Sequence, residues 1–450
     1  MARLRRFGAG VAGSVALVLA GGAIWLATAP PELLRLGNGY AAKIVCSNVF
    51  LAGRDADEVL AVDVQAQGHP LLKLLAVSVD REKQAVTSRF MGLFAGMRAV
   101  HRPGYGCAVT PQGQAAALPD APHVSQAADP GKPWPQGEGT GPPEAGVAAL
   151  LRDPALAGPG MRALVVVRDG RIVAERYAPG FGPKTPLIGW SMTKTVNAAL
   201  LGRAIAEGRM GGDRDHLFPG WEGDGRRDIR LSHLLSMTDG LRFKEDYGGV
   251  NDVTRMLYLE NDMAGFAATS PADAVPGAVF RYSSGASVLL ARLWMDAVGP
   301  EAWQYPVTAL FAPLGMASAT LEADASGTFV GGSYLYATAR DWARFAQFLL
   351  DDGVWNGRRL LPESFMEAIR TPTVVSGGRF TEAQAWHLAP RETGKQTVLP
   401  ADAFWLLGHE GQAIAIVPSA RLIVLRMGLT PGRLGYRPQP LVGAILHRMD

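Results

Sequence analysis

An antiparallel sheet assembled from the two ends of one domain, flanked by helices and carrying an inserted helical lobe, is the α/β (α+β) architecture this sequence predicts. Three observations predict it. Residues 161–177, MRALVVVRDGRIVAERY, are two β-rich runs around Asp169-Gly170, a pair that tolerates positive φ and so gives the strongest short hairpin signal. A second such pair, QAIAIVPSARLIVLRMG at 412–428, turns at Pro418-Ser419. Between them, from 191 to 370, apolar residues recur mainly at helical spacing, which fills the middle of the domain with helices.

The helices carry their own punctuation. TKTVNAALLGRAIAEG is closed by Gly208, and TARDWARFAQFLLDDG opens on Thr338 with Asp341 three residues on and closes on Gly353. An oxygen-bearing residue at the start satisfies backbone donors that the first turn leaves unpaired, and glycine accepts the left-handed turn that ends a helix. PLVGAILHRM at 440–449 predicts a terminal helix. A cleft between sheet and helical lobe is the expected place for a ligand.

Before this domain, which is expected over 146–450, three further segments are read. Residues 1–29 carry Arg3, Arg5 and Arg6, then an uncharged, mostly apolar run from Phe7 to Ala29, long enough for the roughly 20 residues that a bilayer crossing needs. The arginines stay cytoplasmic and place the rest outside. The small-x-small pattern Ala27-Thr28-Ala29 offers a cleavable signal as the alternative, and Pro30 argues against cleavage there. The chain is thus expected in the cell envelope, anchored in the inner membrane or released to the periplasm. Residues 30–117 read as a small exported extension with some strands and helix. It holds both cysteines of the chain, Cys46 and Cys107, and an even pair behind an export signal reads as one disulfide. Residues 118–145, rich in Pro, Gly and Ala, read as a linker or wrapping loop.

Several function classes drop out. A net charge of +3 without a basic stripe gives no case for nucleic acid. Nothing resembles a phosphate-binding loop, a dinucleotide fingerprint or a zinc protease motif. Gly211-Gly212-Asp213-Arg214-Asp215-His216 lacks metal-ligand spacing and reads as a solvated turn. No cofactor or metal is expected. GWSMT lacks the second glycine of a nucleophile elbow, which excludes an α/β-hydrolase at its own signature.

What remains is Ser191-Met192-Thr193-Lys194 at the head of a helix. Residues three apart share a helix face, so the lysine nitrogen can reach the serine hydroxyl. The unpaired N–H groups of a helix start can hold a developing oxyanion. Alone, Ser-x-x-Lys arises by chance. It becomes specific with Tyr282-Ser283-Ser284 and Gly408-His409-Glu410-Gly411-Gln412 following in order.

That order of motifs, with the phrases IRLSHLLSMTDGL (229–241), LFAPLGM (310–316) and GGSYLYATARDWARF (331–345), resembles the serine hydrolases related to class C β-lactamases and penicillin-binding proteins. The stretch HLLSMTDGLRFKEDYGG is similar to the 6-aminohexanoate-dimer hydrolase and esterase branch. The resemblance covers about 150–450. It implies a β-lactamase-like fold and an acyl-enzyme on Ser191, with Tyr282 taking the serine proton and passing one to the leaving group, and Lys194 in an electrostatic and relay role. Free lysine and tyrosine both titrate near 10, so the residues leave open a swap of those roles. The resemblance also implies an oxyanion hole from the backbone N–H groups of Ser191 and Gln412, the latter on an exposed strand edge. Tyr247, Ser284, His409 and Gly411 are the implied substrate contacts.

Two departures bear on substrate. His409 stands where β-lactamases usually carry a lysine for the substrate carboxylate, and Ser284 replaces the asparagine of the second motif. A small-molecule ester or linear amide is therefore expected, with poor turnover of β-lactams. A catalytically silent envelope protein binding peptide or cell-wall fragments in the same cleft is the alternative from another class. A β-lactamase or D-Ala-D-Ala carboxypeptidase is the third reading.

Overall fold

The computed structural model describes residues 14, 17–66, 68–121, 129–389 and 399–449. The chain forms two compact units. One is made of residues 1–101, 107–114 and 246–261, the other of 102–106, 115–245 and 262–450.

In the first unit the helix Glu32–Ala52 is the core element, and its residues from Ala41 to Val49 are all buried. It packs on a four-stranded sheet ordered Leu75–Asp80, Ala85–Phe90, Phe94–Arg102, Gly106–Val109. Asn38 fastens the two layers: its amide donates to Leu34 O and Ala95 O at 3.0 Å and accepts from Ser88 Oγ at 2.7 Å. A buried amide with every partner made costs little and fixes register. Cys46 and Cys107 form a disulfide with Cα atoms 6.1 Å apart, which closes a long loop and so restricts the unfolded chain. The stretch 246–261 belongs to this unit. Its helix Asp252–Leu259 buries Val253, Met256 and Leu257, and Tyr258 meets Tyr40 edge to face at 5.6 Å. Sequence reading had kept that stretch with the hydrolase domain, because a short amphipathic helix does not show which layer its apolar face will cover.

The expected N-terminal span runs partly outside the described residues. Among those described, no single helix is long and apolar enough to cross a membrane. The segment Leu17–Thr28 and the helix Glu32–Ala52 together have the length and composition, but are bent by 59°. The second member is core, as shown above; the first exposes Leu17, Val18, Leu19, Ile24 and Trp25.

The second unit is built on a five-stranded sheet ordered Phe404–Gly408, Gln412–Val417, Leu422–Gly428, Met161–Arg168, Arg171–Tyr177, antiparallel throughout. Both sequence-predicted hairpins are present, and the strand Leu422–Gly428 pairs with Met161–Arg168 to join the chain ends. Asp169 and Gly170 have φ of 49° and 73°, the two positive values that match hairpin twist. One face of the sheet packs on the helix Ala339–Leu350. Its other face buries Leu164, Val166, Val424 and Ala415 against Val147, Leu151, Leu441, Val442 and Ile445. Covering both faces explains why these strands read as continuous apolar runs rather than alternating ones. Thr338 accepts from Asp341 N at 3.2 Å, as its capping signal predicted.

The Pro/Gly-rich stretch wraps onto this unit. Arg344, fully buried, donates to Pro135 O at 2.9 Å, to Gly137 O at 2.6 Å and to Glu138 at 2.6 Å. The Pro135 carbonyl, which lies outside any helix or strand, is thereby satisfied.

Candidate active site

The nucleophile turn is held from three sides. Ahead of it, Leu187–Ile188 pairs with Leu335–Ala337, and Gly189 N donates to Leu335 O at 2.9 Å. Trp190–Met192 then forms one 3₁₀ turn leading into the helix Thr193–Ala206. Trp190 has φ of 47°, an uncommon conformation for a bulky residue that persists only where surrounding packing imposes it. Farther along, Asn197 donates to Ser287 O at 2.9 Å and accepts from Trp294 at 2.8 Å, tying this helix to the neighbouring helix Ser284–Val298.

Lys194 Nζ lies 3.1 Å from Ser191 Oγ, 2.9 Å from Ser284 Oγ and 2.8 Å from Gly332 O. Three acceptors match the three donors of an ammonium. The lysine is buried, and burial lowers its pKa from the ordinary 10.5 to about 8, with the Glu245 carboxylate pulling the other way. The Tyr282 ring lies under the same nitrogen, 4.9 Å away at its centroid. Tyr282 is hydrogen-bonded to Ser191 and Trp386, and burial pushes its phenol well above the ordinary value. An indole N–H can only donate, so the Tyr282 oxygen accepts from Trp386. Phe380 meets Tyr282 edge to face at 5.9 Å and Trp386 packs against it at a tilt of 32°, 5.2 Å away; these rings supply the apolar surroundings that disfavour phenolate.

Burial thus moves the two groups in opposite directions. The neutral amine becomes accessible near neutral pH while the phenol keeps its proton.

The third motif sits across from the nucleophile turn. His409, Glu410 and Gly411 make the turn between Phe404–Gly408 and Gln412–Val417, with Glu410 at φ 59°. The His409 ring meets Trp190 edge to face at 5.6 Å. It is exposed on one face, and the protein on the other lowers its pKa below the ordinary imidazole value, so the ring is neutral at pH 7. Gly408 is needed for the close approach: a Cβ there would stand 2.2 Å from Gly189 O. Gln412 opens the strand after this turn and pairs with Gly408, while pairing with the strand Leu422–Gly428 begins one residue later, at Ala413. Its side-chain amide accepts from Gly428 N at 2.8 Å.

Ser284 is fully buried, and its hydroxyl accepts from Lys194 and donates to Glu245 at 2.5 Å. Tyr247 lies in the stretch 246–261 of the first unit. Glu245, Gly332 and Trp386 were not legible as site residues. Glu245 sits two residues before Tyr247 in the quoted stretch, but an acidic loop residue carries no sign of where its carboxylate will point. Among the described residues no group of three or more His, Cys, Asp and Glu could hold a metal.

A reachable serine, a buried lysine of lowered pKa and a protonated phenol, gathered at the head of one helix, are the parts of a serine hydrolase. Residues 153–437 match the Beta-lactamase family, and the chain belongs to it. A relative is the 6-aminohexanoate-dimer hydrolase of Paenarthrobacter ureafaciens, 26% identical over 297 residues, covering 60% of this chain and 72% of that one. The fold is shared with a Bacillus anthracis protein assigned to the 6-aminohexanoate-dimer hydrolases (23% identity, TM-score 0.55, 64% of this chain and 79% of that one). It is shared too with a class C β-lactamase (17% identity, TM-score 0.51, 68% and 96%).

Proposed function

We propose that this serine hydrolase cleaves an ester or linear amide of a small acid through an acyl-enzyme on Ser191. In acylation, Lys194 as the free amine takes the Ser191 proton while the oxygen attacks the carbonyl. The oxyanion is held by backbone N–H groups of Ser191 and Gln412. Tyr282 gives its proton to the leaving group, and the Lys194 ammonium beside its ring returns one to the phenolate. Water then attacks the acyl group, losing a proton to Lys194 that passes to Ser191 Oγ. Acid and leaving group depart with one water consumed, and every side chain ends as it began.

The observation that carries the substrate reading is the state of His409. An imidazole whose pKa lies below its ordinary value stands at 409 where a lysine would meet the carboxylate of a β-lactam, and Glu410 beside it is acidic. The named activity of the Paenarthrobacter relative supports a linear amide. Export is part of the reading, supported by the exposed apolar segment Leu17–Thr28 and the Cys46–Cys107 bridge. The test is a hydrolysis panel of short-chain nitrophenyl esters, linear aminohexanoate amides, D-Ala-D-Ala peptides and nitrocefin. Turnover of esters or linear amides with slow nitrocefin cleavage is expected; efficient nitrocefin turnover contradicts it.

A further inference from the structure

We propose that Glu245 is a positioning residue that extends the catalytic line to Ser191–Lys194–Ser284–Glu245, holding the ammonium that forms when Lys194 takes the serine proton. The inference rests on the reaction proposed at Ser191.

The geometry carries it. The Glu245 carboxylate accepts from Ser284 N at 2.8 Å and from Ser284 Oγ at 2.5 Å, and that same hydroxyl accepts from Lys194 Nζ at 2.9 Å. Ser284 is fully buried, so its hydroxyl has no water to turn to. Its proton is committed to the carboxylate and its lone pair to the lysine, which polarises both bonds in one direction. A nucleophile, a base and a third group that orients the base is the general arrangement of activated serines; here the third group acts through an intervening hydroxyl.

The charge logic agrees. Glu245 and Tyr282 are the titratable side chains that the described residues set against Lys194; Ser191, Ser284 and the Gly332 carbonyl supply neutral acceptors. Burial alone drives the lysine towards the amine, and Glu245 opposes this. An amine made too weak a base would be free but unable to pull the serine proton. The carboxylate restores driving force at the moment the positive charge appears.

Glu245 also caps the helix Ser284–Val298 through Ser284 N, so a structural role must be separated from an electrostatic one. Glu245→Gln does this, because an amide oxygen still accepts from that N–H while the charge is gone. Ser284→Ala cuts the hydroxyl link and leaves the cap. The experiment is the second-order rate of Ser191 labelling by a fluorophosphonate from pH 5 to 10, with thermal melts alongside. For the parent the rate rises through a limb near pH 8. In Glu245→Gln that limb is expected to fall by about one pH unit, and the alkaline plateau by about ten-fold, because a less basic amine is a poorer acceptor. Ser284→Ala should shift the limb in the same direction. Labelling of the parent with an unmoved limb in a folded Glu245→Gln overturns this inference alone. If Glu245→Gln fails to fold, an unmoved limb in Ser284→Ala overturns it. A parent that is not labelled at any pH overturns the reading of Ser191 itself.

Discussion

Lys194→Ala is expected to lower kcat/KM by roughly 10³- to 10⁴-fold, the scale of losing a positioned base from a nucleophile that acts as a unit with it. The residual rate should lose its pH limb. In the parent, kcat/KM rises as pH passes about 8, where the buried lysine gives up its proton; without the amine nothing titrates there. The same residue makes a prediction about stability of opposite sense. Its folded pKa of about 8 lies below the ordinary 10.5, so between those values the unfolded chain binds more protons than the folded one, and stability rises with pH across that window. Below pH 8 both states are protonated and the full cost of burying the charge is present, about 3 kcal/mol for the distance from 10.5 to 8. Lys194→Met, which keeps the stem and removes the charge, should therefore melt no lower than the parent at pH 7 while being nearly inactive. A large loss of stability at pH 7 together with retained activity contradicts both halves.

Tyr282→Phe is expected to separate substrates by their leaving groups. The phenol is held protonated by burial among Phe380 and Trp386 and touches Ser191, which suits it to deliver a proton. An amine must be protonated to leave, whereas nitrophenolate leaves unaided, so the variant should lose about 10²-fold or more on a linear amide and distinctly less on a nitrophenyl ester. Parallel kcat/KM measurements on the two substrates check this. Equal losses would mean that Tyr282 serves a step common to both, as it would if it were the base.

The sequence carried the fold further than it carried the site. The hairpin at Asp169-Gly170, the cap at Thr338 and the stop at Gly208 are local decisions, made by residues that touch one another along the chain, and so they were readable. Ser191 and Lys194 were readable for the same reason, being one helical turn apart. Tyr282 and His409 were legible only as members of an ordered set of motifs. Glu245, Gly332 and Trp386 reach the same few ångströms from distant parts of the chain, and no local pattern announces such a meeting. The division of labour between Lys194 and Tyr282 was illegible for a different reason. Their free pKa values nearly coincide, and only the surrounding atoms separate them. At Ser284 the motif position was legible, but its burial and its bond to Glu245 were not. The stretch 246–261 could not be assigned to its unit, because amphipathicity states that a face will be covered and not by what.

The most direct test of the account is the intact mass of the purified protein after exposure to a fluorophosphonate at pH 8, read beside Ser191→Ala. The account predicts one covalent adduct, mapped to Ser191 by peptide analysis and lost in the variant. An unmodified parent, or an adduct that persists in Ser191→Ala, contradicts it.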